Sequence, residues 1–260
     1  MFWMQSWIII KTQAQINNIR ESGKHLNEIL ELTRNASKAG VSLIELEDIA
    51  EKYLKKHNLK WAFKWYEWYP ANLCLSVNDC VVHWIPDKYV LKNWDLLKID
   101  CGVTYNKWIS DAAVSLVVWW ELANPLGQAL IVATKSALDR SLEYIYDGNS
   151  AYEYSRNIFN VMKNAWFSVL EKLTWHGVWN AVHEKPYMYN IPDSSMKKVK
   201  LQSWMVIALE PITAVKSRDF YGKNNDRNLY TDYGDLWAQW EYTVLVTDNG
   251  YEILAWLKTL

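Results

Sequence analysis

Acidic residues inside or beside apolar segments are the strongest constraint on how this chain can fold. Asp100 lies within the mostly apolar segment 96–103, and Glu210 directly follows the apolar run 205–209. A carboxylate on a buried strand must be ion-paired, hydrogen-bonded or metal-bound, because removing an isolated charge from water is costly. The fold therefore has to bring polar or metallic partners to these two carboxylates.

Three further residues complete a candidate metal-binding set, namely Asp111, His176 and Glu241. Together with Asp100 and Glu210 they form a hard, oxygen-rich donor set. Such a set suits paired divalent Mn, Fe, Co or Zn ions better than a structural zinc held by thiolates. Taken alone, Asp111 would also suit a turn, and Glu241 would suit the solvent end of an edge strand. Taken together, the five residues predict a metallohydrolase with two metal ions.

Helix and strand signals alternate in blocks along the chain. Thr12 is a predicted N-cap, and Ser42 with Glu45 matches a capping box. The predicted helices cover about 12–34, 42–57, 125–147 and 150–170, and the predicted strands include 72–77, 95–103 and 111–118. Further strands are expected to carry Glu210 and Glu241. This pattern predicts an α+β fold in which Asp100 and Asp111 lie on neighbouring antiparallel strands facing one pocket.

Bulk properties narrow the class of protein. The net charge of −1 and the pI near 6.5 give no electrostatic footprint for nucleic acid. Three cysteines without a CxxC pair favour buried thiols in a reducing compartment, and hence the cytoplasm. Residues 1–10 are apolar but interrupted by Gln5 and Ser6, which predicts a short N-terminal extension or strand rather than a signal peptide or membrane anchor. One catalytic domain over 1–260 is expected.

Several phrases resemble the signature motifs of type I methionine aminopeptidases. In chain order they are SVNDCVVHWIPD at 76–87, Asp100 with Asp111 eleven residues later, HGVWNAVHEKP at 176–186, and AQWE at 238–241. The resemblance runs from about Ile8 to Leu254. It implies the pita-bread fold, a pseudo-twofold antiparallel sheet flanked by helices, with the metals between two similar halves. The helix–helix–strands order, which occurs twice, agrees with such a repeat.

The resemblance also implies a role for each site residue. The implied metal ligands are Asp100, Asp111, His176, Glu210 and Glu241, and the implied methionine pocket comprises Tyr66, Tyr69, Cys74 and His83. His83 and His183 would contact the scissile peptide, and Glu210 would also pass a proton. Thr213 and Thr243 are expected to orient the ligands. Phe63, Arg227 and Tyr242 depart from the family pattern at positions that affect specificity more than hydrolysis.

The implied reaction is removal of the initiator methionine from new proteins, by attack of a hydroxide that bridges the two ions. The implied partner is the N-terminal peptide of a nascent protein, met near the ribosome by a monomeric enzyme with no nucleic-acid or membrane partner. Two alternatives stay open. One is an Xaa-Pro aminopeptidase or dipeptidase of the same fold, and the other is a catalytically inactive pita-bread protein that binds peptides.

Tryptophan and glycine are present in unusual proportions. The chain has 17 Trp and only 9 Gly, whereas an average chain of this length has about 18 Gly. Tryptophan stands where the family has glycine at Trp65, Trp68, Trp84, Trp94, Trp166, Trp175, Trp179 and Trp204, and also at one of Trp119 and Trp120. The hypothesis is a reassigned UGA codon, written as tryptophan but read as glycine. A genuinely Trp-rich protein or a decayed paralogue is the alternative.

Overall fold

The first helix begins at the predicted cap. A computed structural model describes residues 8–118, 123–222 and 228–257, and its helix α1 spans Gln13–Ala36. The Thr12 hydroxyl accepts from the Gln15 backbone, and the Gln15 side chain accepts from the Thr12 N–H at 2.7 Å. This reciprocal pair satisfies two backbone donors that a helix start leaves free. The predicted apolar face is buried, at Ile16, Ile19, Leu26, Ile29 and Leu30.

The second helix also confirms its predicted start. Helix α2 spans Leu43–Lys56, with Ser42 and Glu45 forming the capping box and His57 at its end. Leu26, Ile29 and Leu30 of α1 and the buried residues of α2 pack into the main hydrophobic core, whereas Ile16 and Ile19 belong to a smaller apolar cluster. Each fully buried Leu or Ile of that core contributes about 1.5–3 kcal/mol.

The second helix pair is shorter than predicted. Helix α3 spans Pro125–Ser141, and α4 spans Ala151–Asn164. The prediction that the fourth helix continues to 170 is wrong, because Trp166 has a positive φ of 64° and residues 168–169 form a strand. The third helix likewise gives way to a short 3-10 turn, Leu142–Tyr144, before the predicted end at 147.

Within the described ranges, fifteen strands make up the sheets. They are β1 Lys60–Trp61, β2 Leu73–Val77, β3 Cys80–Val81, β4 Leu96–Tyr105, β5 Trp108–Val117, β6 Ser168–Val169, β7 Thr174–Gly177, β8 Glu184–Tyr189, β9 Val206–Leu209, β10 Ile212–Ala214, β11 Phe220–Gly222, β12 Leu229–Thr231, β13 Trp237–Gln239, β14 Tyr242–Thr247 and β15 Gly250–Ala255. The sheet orders are β1-β4-β2 with β5 beside β4, then β13-β10-β6, β11-β12-β3 and β15-β14-β9-β7-β8. Neighbouring strands pair antiparallel, which confirms the predicted α+β class with antiparallel sheet.

Strand β5 joins the two halves of the molecule. The helix pair α1–α2 precedes β1–β5, and the pair α3–α4 precedes β6–β15, so the order helix–helix–strands does occur twice. The Glu241 backbone N–H donates to Ala113 O of β5 at 2.9 Å, and Ser115 Oγ donates to Gln239 O at 2.8 Å. The strands of the second half therefore abut β5 directly.

The N-terminal segment does not form the predicted strand where it is described. Residues 1–7 lie outside the described residues, and residues 8–10 belong to no strand. Instead, Lys11 N donates to Trp204 O at 2.9 Å and attaches the segment to a turn. Trp119, Trp120 and Arg227, singled out from the sequence, also lie outside the described residues. Among the helices that are described, none combines the length and apolar character needed to cross a membrane.

Candidate metal centre and substrate pocket

Strands β4 and β5 bring the first two carboxylates together. The register pairs Asp100 with Ala113 and Gly102 with Asp111. Because side chains two positions apart on a strand share a face, Asp111 lies on the same face as Ala113 and therefore as Asp100. The predicted placement on neighbouring antiparallel strands is confirmed.

The other three residues come from the second half. His176 lies in β7 and pairs with Ala208 of β9, Glu210 directly follows β9, and Glu241 directly precedes β14. One ligating atom from each of Asp111, His176 and Glu241 lies within 4.8 Å of the others. His176 Nε2 lies 3.0 Å from Glu210 Oε1. The structure thus brings together all five residues singled out from the sequence, and Glu241 is buried rather than at the solvent end of a strand.

Burial and mutual repulsion act on the carboxyl groups of this cluster. Burial raises the pKa of Asp111, and the nearby carboxyls of Asp100 and Glu210 raise it further. Burial likewise raises the pKa of Glu241, with Asp111 and Glu210 adding to the effect. Without a cation the carboxyl groups of the cluster hold protons more tightly than free carboxyl groups do. The cluster therefore attracts positive charge.

Three carboxylate oxygens of the cluster have no hydrogen-bond donor among the described residues. They are Asp100 Oδ1, Asp111 Oδ1 and Glu241 Oε1, each buried from solvent. Buried polar atoms are nearly always satisfied, because an unmet acceptor costs free energy. Divalent ions would satisfy all three, and the carboxylate and imidazole donors match the preferences of Mn, Fe, Co and Zn. The residues therefore fit a divalent metal centre.

The tautomer of His176 supports the same assignment. Its Nδ1 lies 3.0 Å from the Gly177 carbonyl oxygen, which can only accept, so Nδ1 carries the proton. Burial lowers the pKa of His176 to about 4, and the ring is neutral at pH 7. Nε2 then presents a lone pair towards Glu210 Oε1. Two acceptor atoms in contact need a proton or a metal ion between them. A histidine that binds a metal usually has this arrangement, with one ring nitrogen donating a hydrogen bond and the other facing the ion.

The cluster lies in the wall of a cavity of about 390 Å³. The predicted substrate-contacting residues line the same cavity, at Tyr66, Tyr69, Cys74, His83 and His183. Several other lining residues have no role predicted from the sequence, among them Glu67, Val82, Lys172, Val182 and Ile212. Phe63, one of the departures from the family pattern, also lines it. Aromatic and aliphatic walls thus lead directly to the carboxylates.

Hydrogen bonds and ring contacts hold the cavity walls in place. Tyr69 Oη lies 2.8 Å from Leu73 O and 3.0 Å from Trp84 O, both acceptors for its hydroxyl proton. The His183 ring stands at 89° to the His176 ring, with centroids 4.4 Å apart. Burial lowers the pKa of His183 to about 3, with help from His176 and His83. His183 is therefore neutral and can act as a hydrogen-bond donor.

Two predicted supporting residues act differently from expectation, and another was missed. Thr243 Oγ1 accepts from Asp111 N and donates to Asp111 O, so it holds the backbone of Asp111 rather than its carboxylate. Thr213 pairs instead with Thr134 at 2.6 Å. The supporting residue that sequence reasoning missed is Gln239, whose Nε2 donates to Glu210 Oε2 at 3.1 Å. Its position two residues before Glu241 was the available signal, since alternate strand residues share a face.

Tyr242, another departure from the family pattern, is directed away from this site. Its hydroxyl donates to Asp139 Oδ1 at 2.9 Å, and it is not among the residues that line the cavity. This departure therefore leaves the described cavity walls unchanged.

Comparison with known proteins gives a consistent picture. The model of metallopeptidase family M24 matches residues 17–248. The methionine aminopeptidase of Clostridium acetobutylicum is 34% identical over 248 residues, which cover 95% of this chain and 98% of that protein. The crystal structure of the methionine aminopeptidase from Thermotoga maritima superposes with a TM-score of 0.91 at 30% identity, covering 96% of this chain and 99% of that one.

A prolidase shares the fold more distantly. The Pyrococcus furiosus prolidase superposes with a TM-score of 0.78 at 20% identity, covering 96% of this chain and 66% of that one. The architecture is the pita-bread fold common to these proteins, as the sequence resemblance implied.

Proposed function

This chain belongs to metallopeptidase family M24, and we propose that it is a methionine aminopeptidase that removes the initiator methionine from nascent proteins. The observation that carries the proposal is that an aromatic-walled cavity and a buried carboxylate–imidazole cluster form one continuous site. Such a site can bind an apolar side chain while presenting its neighbouring peptide bond to metal chemistry.

We assign two divalent ions to Asp100, Asp111, His176, Glu210 and Glu241, with Mn, Fe, Co and Zn as the candidates. When bound, the ions supply Lewis acidity that activates water and polarises a peptide carbonyl. Glu210 adjoins His176 and has a pKa raised by burial, which suits a group that accepts and passes on a proton. His183, held neutral, donates to the developing oxyanion, and His83 positions the peptide at the mouth of the cavity.

The proposed methionine pocket comprises Tyr66, Tyr69, Cys74 and His83. Burial raises the pKa of Cys74, and so its thiol stays neutral. Aromatic faces and a polarizable sulfur atom suit an unbranched thioether, which fills irregular apolar space well. A preference for substrates with a small second residue is part of the same proposal.

The cellular setting follows from this substrate. The enzyme acts as a monomeric, cytoplasmic single-domain protein on the N-terminal peptides of new proteins near the ribosome. Its three cysteines are buried and none of them forms a disulfide, which agrees with a reducing compartment.

Peptide cleavage tests the proposal. Two reactions are measured with Mn or Co, namely release of methionine from a Met-Ala-Ser peptide and cleavage of the dipeptide Ala-Pro. Both are measured for the chain as written and for a version with glycine at the eight tryptophan positions where the family has glycine. Release from the Met peptide in either version, lost in His176→Ala and kept in the exposed control His57→Ala, supports the proposal. Cleavage of the proline peptide alone points to an Xaa-Pro peptidase. Metal binding without any cleavage contradicts both activities and favours a binding protein.

A further inference from the structure

Five of the tryptophans that the structure describes occupy the left-handed region of backbone space. Their φ angles are 72° at Trp65, 66° at Trp68, 71° at Trp94, 64° at Trp166 and 73° at Trp204. A bulky residue is an outlier in this region, because its Cβ collides with the neighbouring carbonyl, whereas glycine adopts the same φ without penalty. Only three of the glycines in the described part of the chain have positive φ. Tryptophan therefore stands in this conformation more often than glycine does.

Three of the five stand at the third residue of a hydrogen-bonded β-turn. The turns close with backbone hydrogen bonds from Tyr66 N to Phe63 O at 2.8 Å, from Asp95 N to Lys92 O at 3.2 Å, and from Met205 N to Gln202 O at 3.1 Å. The third residues are Trp65, Trp94 and Trp204. A positive φ there is the signature of a type II turn, which calls for glycine or asparagine.

Trp68 lies in a different turn. Glu67 and Trp68 both have positive φ, at 46° and 66°, and Tyr69 N donates to Tyr66 O at 2.9 Å. Two successive left-handed residues define a type I′ turn, whose central positions are dominated by glycine, asparagine and aspartate.

Trp166 ends helix α4 in a Schellman motif. Trp166 N donates to Lys163 O at 3.1 Å, and Phe167 N donates to Met162 O at 3.0 Å. This hydrogen-bond pair closes a helix around one left-handed residue, which is usually glycine. At 90% exposure, the Trp166 side chain also gains almost nothing from packing.

All five of these tryptophans are exposed, which is uncommon among the other tryptophans in the described residues. The side chains of Trp65, Trp68, Trp94, Trp166 and Trp204 are all exposed, whereas of the eight other tryptophans in the described ranges only Trp61 is. Each of the five thus combines a strained backbone with a large apolar residue that is at least 38% exposed to water. A hydrogen atom in place of the indole would remove both defects at once.

We infer that positions 65, 68, 94, 166 and 204 are glycine in the protein that the cell makes, with UGA codons written as tryptophan but translated as glycine. Trp84, Trp175 and Trp179 have no positive φ, so their backbone angles give no evidence for glycine at these positions. UGA codons at those three positions would extend the assignment of glycine to them.

The direct test is peptide mass spectrometry of the protein from the cells that carry the gene, together with the codons of that gene. The expected result is UGA at the five positions and peptides lighter by the difference between a tryptophan and a glycine residue. UGG codons, or peptides with the tryptophan mass, would overturn the inference.

Thermal unfolding of recombinant chains tests the same point without the native source. Replacing all five by glycine is expected to raise Tm by about 10–20 °C, since each relieved position contributes roughly 2–4 °C in a chain of this size. Trp204→Gly and Trp61→Gly form a matched pair, because the two side chains are 38% and 41% exposed but only Trp204 has positive φ. Trp204→Gly is expected to raise Tm and Trp61→Gly to lower it. An unchanged or lower Tm in the five-glycine chain contradicts the inference, whatever the peptide-cleavage assays give.

Discussion

The side-chain amide of Gln239 donates a hydrogen bond to Glu210, with 3.1 Å between Nε2 and Oε2. The same nitrogen lies 3.4 Å from Glu241 Oε2. One buried amide therefore orients two of the proposed metal ligands, and the backbone N–H of Gln239 donates to Ser115 Oγ of β5 at 3.0 Å. Groups that orient ligands in this way usually matter nearly as much as the ligands themselves.

Gln239→Met keeps the length of the side chain and removes the donor. The expected result is a 10–100-fold loss of affinity for Mn or Co, because Glu210 and Glu241 lose their common restraint. Isothermal titration calorimetry measures it. Gln13→Met, on the exposed face of α1, is the control. Equal metal affinity in the two variants would show that the amide has no orienting role.

The stability of the metal-free protein should fall as pH rises. The pKa values of Asp111 and Glu241 are raised by burial and by neighbouring carboxyls, so the folded state binds protons more tightly than the unfolded state does. The stabilisation is complete below the unfolded pKa of about 4 and is lost as pH rises through the folded values. Urea unfolding between pH 4 and pH 8 checks this trend. The double variant Asp111→Asn, Glu241→Gln should show a smaller fall, and an equal fall in both proteins would contradict the assignment.

Divalent metal should reverse that loss. An ion that binds only the folded state adds about 2.7 kcal/mol at a concentration 100 times its Kd, and it replaces the protons that the carboxyls otherwise need. Mn or Co is therefore expected to stabilise the protein at pH 7.5 much more than at pH 5, as measured by urea unfolding with and without metal. Equal stabilisation at both pH values would argue against binding through these carboxylates.

Lys98 makes an opposite contribution to the pH dependence. Its Nζ donates to Asn78 O at 2.8 Å and lies 4.4 Å from the centre of the Trp237 ring. Burial lowers the pKa of Lys98 to about 7, so the folded state favours the neutral amine more than the unfolded state does. The stabilisation of the folded protein is fully present above the unfolded pKa of about 10.4 and is lost as pH falls towards 7. Relative to Lys98→Met, the parent chain should gain up to about 4 kcal/mol between pH 7 and pH 10. The exposed control Lys24→Met should show the same pH dependence of the free energy of unfolding as the parent chain. The same pH dependence in Lys98→Met would refute the prediction.

Gly177 allows a close backbone contact beside His176. A Cβ at this position would lie 2.5 Å from the Lys185 carbonyl oxygen, whereas a Cβ at Gly250 would meet nothing within 4 Å. Gly177→Ala should therefore cost about 1–3 kcal/mol and weaken metal binding by displacing His176. Gly250→Ala should stay within about 0.5 kcal/mol. Chemical denaturation and metal titration of both variants provide the comparison, and equal stability would contradict the close contact.

Local signals were the most reliable guide to the fold. The helix starts at Thr12 and Ser42 were predictable because a capping box involves only residues three apart. The end of α4 was not predictable, because the left-handed residue that ends a helix is usually glycine and here it is Trp166. The N-terminal strand was predicted from apolar residues alone, and at residues 8–10 no strand pairs with it.

The chemical identity of the site was determined by the sequence, since a carboxylate within an apolar strand needs a partner wherever that strand lies. Only the tertiary structure decided how the groups meet. His176 and Glu210 are distant in sequence and come within 3.0 Å because β7 pairs with β9. The raised pKa values, the tautomer of His176 and the role of Gln239 all depend on that approach. Interactions between charges depend on distance and burial, and these are set by sheet pairing rather than by residue type.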